Sequence, residues 1–161
     1  MLGLNGAVNE KDFIALCDNL NPQNGKRLTQ LQTKANRRIF YDMTIAPPKS
    51  VSLAALIGHD KAIVEAHDQA VLTAMQEFEN YASTRVRIAN RSNDRFTGNI
   101  VATTFRHDTS RALDPQLHTH CLLFNATFDP IEKNGKPYKT TKSSKPKNSS
   151  TTPTNTSSHA S

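Results

Sequence analysis

A chain of 161 residues with 36% hydrophobic side chains is long enough for one ordinary domain, yet thin in apolar content for a globule of that size. Its formal net charge of +6 favours nucleic acid or an anionic membrane surface as partner, mild basicity for solubility alone being the alternative. Two cysteines, Cys17 and Cys121, far apart and in no CxxC pair, exclude a disulfide framework and fit a reducing compartment. No secretory signal is expected and the longest apolar run, VSLAALIG, is too short to span a bilayer, so a cytoplasmic protein with no membrane partner is expected.

In chain order, VNEKDFIALCDNL places Phe13, Ile14, Cys17 and Leu20 at helical spacing behind Asn9. That predicts a helix over residues 10–20, capped by Asn9 and stopped by Asn21-Pro22. RRIFYDMTIAP is rich in β-formers and predicts a strand. Ile39, Tyr41, Met43 and Ile45 share one face of it, with Phe40, Asp42 and Thr44 on the other, until Pro47-Pro48 ends it. KSVSLAALIG reads as a short helix with a proline-preset start, ended by Gly58. KAIVEAHDQAVLTAMQEFENYAS reads as a long helix capped by Asp60, with Ile63, Ala66, Ala70, Leu72/Thr73 and Phe78 as its loose apolar stripe. TRVRIAN predicts a short strand; FTGNIVATTFRH and QLHTHCLLFNATF predict two longer ones, joined by the turn-forming DTSRALDP. No internal repeat is apparent. From Lys139 onward the chain is Ser, Thr, Lys, Pro and Asn with almost no aliphatic side chain. Such a segment buries too little apolar surface to offset its ordering, so residues 139–161 are expected to be a disordered tail behind a folded part of residues 1–138.

Three of the six histidines fall within HDTSRALDPQLHTH, residues 107–120. Alternate residues of a strand share a face, so His118 and His120 point the same way. His107 ends the preceding strand and arrives beside them if the two strands are antiparallel neighbours. Three imidazoles from two strands make an open three-nitrogen metal site, with positions left for water or substrate. Mn, Zn, Ni or Cu suits imidazole better than Mg does. A solvated polar strand face, or adventitious metal binding, is the bland alternative. Asp42, a lone carboxylate on an apolar strand, is costly unless paired. A salt bridge to Arg37 or Arg38, and acceptance of the second ring N–H of a metal-bound histidine, both answer that need. In APPKSVS, Lys49 and Ser50 sit where a helix begins, which suits a phosphate; simple capping by Ser50 is the alternative. His59 and His67 read as surface residues, Tyr81 as packing, and Cys121 as a small core residue.

LGLNGAVNEKDF, TIAPPKSVSLAALIGHD followed by EAHDQAV, and FRHDTSRALDPQLHTH, in that order along the chain, resemble the TrwC/TraI-type (MobF) conjugative relaxases of the HUH single-strand endonuclease superfamily. The resemblance runs over residues 2–138 and departs at Ala46-Pro47-Pro48-Lys49, where the family usually has Ser-Ala-Pro-Lys. It implies an α+β fold: a central antiparallel sheet carrying the three-histidine site, with helices packed on one face. It implies nicking of single-stranded DNA at a plasmid transfer origin by attack of a tyrosine on the scissile phosphate. A divalent ion (Mg, Mn or Zn) on His107, His118 and His120 would polarise the phosphate, and Asp42 would orient one of the histidines. Lys49, Ser50, Arg106 and Arg111 are the expected contacts to DNA phosphates, with single-stranded DNA and relaxosome proteins as partners.

Tyr41, Tyr81 and Tyr138 do not match the family's nucleophilic tyrosines, which belong upstream of LGLNG. The expectation is therefore an N- and C-terminally truncated relaxase fragment that keeps the metal site and is inactive alone. The rival readings are a non-catalytic metal- and single-stranded-DNA-binding module or relaxase-partner protein, a two-histidine phosphoesterase of which His107-Asp108-Thr109 would be half, and a pseudogene product.

Overall fold

The computed structural model describes residues 6–30 and 37–141. It is an α+β arrangement built on antiparallel sheets. Helix α1 is Glu10–Cys17, and Asn9 caps it by accepting the Asp12 N–H at 2.8 Å. It stops short of the expected residue 20 because Asn19 turns left-handed, at φ 65°, which ends the helix in the usual way. Buried Asn19 then holds the following loop: its amide donates to the Thr29 carbonyl at 3.0 Å and its carbonyl accepts the Thr29 hydroxyl at 3.1 Å.

Strand β1 is Phe40–Ile45, α2 is Lys49–Leu56 and α3 is Lys61–Asn80. Asp60 caps α3 by accepting the Ala62 N–H at 3.0 Å. The strands that follow are β2 Ala82–Ile88, β3 Arg91–Phe96, β4 Ala102–Thr109, β5 Pro115–Phe124, β6 Thr127–Asp129, β7 Asn134–Lys136 and β8 Lys139–Thr140. They form three antiparallel sheets in the orders β1-β5-β4, β3-β2-β8 and β6-β7. Among the described residues no helix is long and apolar enough to cross a membrane.

The sheet β1-β5-β4 organises the molecule, with β5 in the middle. One face, bearing Met43, Cys121 and Ala102, packs on Val71, Met75 and Phe78 of α3. The buried stripe of α3 is His67, Val71 and Met75, set at successive i+4 steps. The expected stripe met it only in part: Phe78 packs in this cluster, whereas Leu72 is 53% exposed and the buried His67 was expected at the surface. Helix α2 lies against β5, with its Ser52 and Ala55 buried. The opposite face is apolar at one end only. There α1 covers it, with Phe13 edge-on to Phe105 and Phe124 at 5.7 and 6.1 Å and Leu16 clustered with Leu28, Val101 and Phe124. So α2 and α3 share one face, and α1 sits on the histidine face beside the cluster.

Three elements were not visible in the sequence. The hairpin partner β3 is polar and mostly exposed, so it carries no alternation. Its turn, Ala89-Asn90, takes φ 47° and 62°, the two-residue form that suits the twist of a hairpin. The β6–β7 hairpin lies so close to the loop after α1 that a Cβ on Gly135 would stand 1.5 Å from the Leu28 carbonyl oxygen; only glycine fits there. Finally, Lys139 and Thr140, assigned to the tail by composition, pair with Ser83 and Ala82 of β2, and Thr141 is buried. Ordered structure thus passes the boundary set at residue 138, because a strand held by its backbone needs no aliphatic side chains. The expected disorder of residues 142–161 lies outside the described residues.

Candidate functional site

Strands β4 and β5 bring the histidines together by register. His107 pairs with His118, and a bulge follows before Thr109 meets Pro115. The connecting turn is tied by Ser110, whose hydroxyl accepts the N–H groups of Ala112 and Asp114 at 3.2 and 3.3 Å. His118 and His120 share the face of His107 by strand alternation. The three rings form a nearly equilateral triangle: centroid separations are 5.3 Å for His107–His118, 5.5 Å for His107–His120 and 5.4 Å for His118–His120. His107 is exposed and the other two are half-buried, so the cluster is open to solvent on one side.

Strand β1 adds Asp42 from the other flank. Its carboxylate oxygens stand 3.0 and 3.2 Å from His120 Nδ1, and Thr44 Oγ1 is 3.4 Å from the same nitrogen. Of the two pairings the sequence left open, the structure takes the histidine. Arg37 instead donates to the Cys17 carbonyl at 2.7 Å, and Arg38 lies over the Tyr41 ring at 4.8 Å.

These contacts determine which ring nitrogens remain available. A carbonyl oxygen can only accept, so His118 Nδ1, 3.0 Å from the Gln116 carbonyl, carries its proton and leaves the Nε2 lone pair outward. A carboxylate at His120 Nδ1 imposes the same tautomer there. Two of the three rings are thereby preset with Nε2 free, the arrangement found for metal-bound imidazoles backed by a carboxylate or carbonyl. The spacing also suits one ion. With nitrogens about 2.1 Å from a tetrahedral metal, ring centres lie about 5.2 Å apart. Among the described residues no group of three or more His, Cys, Asp or Glu side chains stands ready to hold an ion.

The other expected site residues are dispersed. Lys49 begins α2 and donates to the Pro115 carbonyl at 2.8 Å, beside the start of β5. Ser50 is exposed in the first turn of α2; Pro48 holds the cap position, so Ser50 is not the cap. Arg111 is exposed in the β4–β5 turn. Arg106 is turned away from the histidines: it alternates with His107 along β4 and pairs with Asp68 of α3 at 2.6 Å. The expectation that His67 lies on the surface is corrected. It is 7% exposed and its Nε2 is 2.9 Å from the Thr119 hydroxyl. Burial pushes its pKa down, with Arg106 and His118 adding to that and Asp68 opposing it. His59 is exposed and Cys121 is fully buried, and burial together with Asp42 raises the Cys121 thiol pKa. Sequence reasoning missed Ser52 and Thr119. The signal for Thr119 was present, since a residue between two outward histidines must face the helices.

The sequence matches the family model described as TrwC relaxase over residues 1–155. This chain belongs to that family. It is 45% identical over 127 residues to the multifunctional conjugation protein TraI of Escherichia coli strain K12, an alignment covering 78% of this chain and 7% of TraI. Its fold superposes on conjugative relaxase TrwC bound to oriT DNA in a copper-bound structure, with TM-score 0.77 and 39% identity, covering 86% of this chain and 47% of that one. A second TrwC structure, complexed with a 27-mer DNA comprising the recognition hairpin and the cleavage site, gives TM-score 0.78 at 39% identity, covering 86% and 49%. The chain therefore spans a small fraction of TraI and about half of the TrwC chains.

Proposed function

We propose that this chain supplies the phosphate-activating part of a relaxase that acts on single-stranded DNA at a transfer origin. The observation that carries the reading is the triangle of His107, His118 and His120 with two Nδ1 positions already committed. These three side chains would hold a divalent ion through Nε2. When bound, such an ion supplies Lewis-acid polarisation of a phosphate oxygen. Asp42 accepts the Nδ1–H of His120, which fixes the tautomer, orients the ring and raises its basicity as a ligand. The Gln116 carbonyl does the same for His118 without adding charge. Solved TrwC structures with metal and with oriT DNA support both partners for the corresponding region here. A cytoplasmic setting fits that substrate.

The three tyrosines do not face this cluster. Tyr41 alternates with Asp42 and stacks edge-on with Tyr138 at 6.2 Å. Tyr138 is buried, which raises its phenol pKa, and its hydroxyl bonds Thr140. Tyr81 caps α3, on the far side of the sheet. We accordingly assign none of them as nucleophile. The role supported for these residues is to bind and polarise phosphate, which also keeps alive the second reading, a metal- and single-stranded-DNA-binding module without chemistry of its own.

Oligonucleotide binding tests this proposal. Fluorescence anisotropy with single-stranded transfer-origin sequences should show binding that tightens when Mn²⁺ is added. With about three phosphate contacts, affinity should fall about 20-fold between roughly 50 and 200 mM salt, through counterion release. Arg111→Ala should weaken binding, whereas Arg106→Ala should not, since Arg106 faces α3. Affinity indifferent to both Mn²⁺ and salt would rule the proposal out. A covalent protein–DNA band lost on changing one tyrosine to phenylalanine would overturn the assignment of the tyrosines.

A further inference from the structure

The histidine cluster depends on a part of β5 that the sheet does not hold. The β1–β5 ladder ends at Ile45 opposite Thr119. The β4–β5 ladder breaks at the bulge after His107–His118 and resumes only at Pro115. Gln116 and Leu117 fall outside both registers, immediately before His118-Thr119-His120. This two-residue gap lacks sheet partners, and a slip of one residue in β5 would reverse every side chain.

The helices on the back of the sheet contact β5 at this gap, at Leu117, and at the paired residues on either side of it, Pro115 and Thr119. Ser52 of α2, fully buried, accepts the Leu117 N–H at 3.2 Å through its hydroxyl. His67 of α3 meets the Thr119 hydroxyl at 2.9 Å. Lys49 donates to the Pro115 carbonyl at 2.8 Å. The three contacts fall on residues 115, 117 and 119, the alternate positions that face the helices, while 118 and 120 take the other face. The Ser52 and His67 bonds are buried, with no water to turn to, so each of those two is costly to lose, whereas the Lys49 bond is exposed.

We infer that Ser52 and His67 are positioning residues for the histidine centre. From the back of the sheet they hold β5 so that His118 stays beside His107 and His120 stays beside Asp42. Neither touches the reacting phosphate; they act through Leu117 and Thr119. The inference rests on the reading of the three histidines as a metal centre. It adds to that reading the point that ligand geometry is set by α2 and α3 as well as by the neighbouring strands.

Co²⁺ serves as the probe, because its visible absorption reports ligand number and geometry. Thr119→Val removes the hydroxyl and keeps the shape, and Thr119→Ser keeps the hydroxyl. Ser52→Ala removes the acceptor for Leu117. Binding is read at a temperature at which circular dichroism shows each variant folded. Thr119→Val and Ser52→Ala should each weaken Co²⁺ binding about tenfold, at the low end of the effect of losing a group that orients a metal ligand, and should alter the Co²⁺ spectrum. Thr119→Ser should restore the wild-type spectrum. Wild-type affinity and spectrum in both Thr119→Val and Ser52→Ala would overturn the inference while leaving the metal centre standing. So would equal loss in Thr119→Ser and Thr119→Val, since the hydroxyl kept by serine would then have restored nothing. Failure of the wild-type chain to bind Co²⁺ would overturn the metal reading itself, and the inference with it.

Discussion

Replacing His118 and His120 together by alanine is expected to abolish calorimetrically detectable Mn²⁺ binding while leaving the fold in place. Two of three nitrogens leave, and an ion left with one imidazole has no advantage over free histidine in water. The fold should survive because the two histidines are half-exposed, whereas Leu117, Thr119 and Cys121 are buried on the opposite face of β5 and the α1 cluster on the histidine face rests on Phe124 and Val101. Alanine in two strand positions costs at most about 1 kcal/mol each in β-propensity. Asp42→Asn should have a smaller effect in the same direction, about 10- to 100-fold in affinity. Its amide still reaches His120 Nδ1 but no longer fixes the tautomer by charge. Equal stoichiometry and affinity in wild type and double variant would show that the metal binds elsewhere.

How much of this was legible in the sequence depends on what each residue announces. His118 and His120 advertise their common face through period-two spacing, and Asp42 its strand through the β-formers around it. The resemblance to relaxases named the fold that joins them. What the chain could not announce was the partner of a buried polar group. His67 looks like a surface residue because histidine usually is one; its burial follows from Thr119, which sits 52 positions later. Ser52 reads as an ordinary residue of a short helix, because an unpaired Leu117 N–H exists only once both ladders have ended. Arg106 looked like a phosphate contact from its place beside His107. Strand alternation, applied to it as strictly as to the histidines, would have turned it toward α3. The polar strands β3, β7 and β8 were missed for a related reason: their stability comes from backbone pairing and from ion pairs across the sheet, neither of which leaves an apolar pattern.

One of those ion-pair groups should dominate the acid stability of the chain. Asp129, at the end of β6, is completely buried. It accepts Arg95 Nη1 at 2.7 Å and the backbone N–H groups of Ile131 and Glu132 at 2.9 and 3.4 Å, and Lys136 Nζ stands 3.7 Å away. Glu132 closes the network, 3.2 Å from Arg95 and 2.6 Å from Lys136. Burial pushes the Asp129 carboxyl up, but the two backbone donors and Arg95 outweigh it, so its pKa lies below the ordinary carboxylate value. The unfolded chain, with a carboxyl near pKa 3.9, then takes up the proton first. Stability from Asp129 is fully present above that unfolded value and is lost as pH falls through it towards the folded one. Asp129→Asn leaves Arg95 without its buried counter-charge and should cost on the order of 3 kcal/mol at pH 7. The β6–β7 hairpin would loosen from β3, and with it the loop against which Gly135 is packed. Urea unfolding of wild type and variant at pH 7 and near pH 3 measures both effects. The difference between the two proteins should be large at pH 7 and should shrink at the acidic pH, where the unfolded wild-type chain has taken up its proton. A difference that is the same at both pH values would mean that Asp129 contributes through shape and neutral hydrogen bonds, and that its charge adds nothing to the fold.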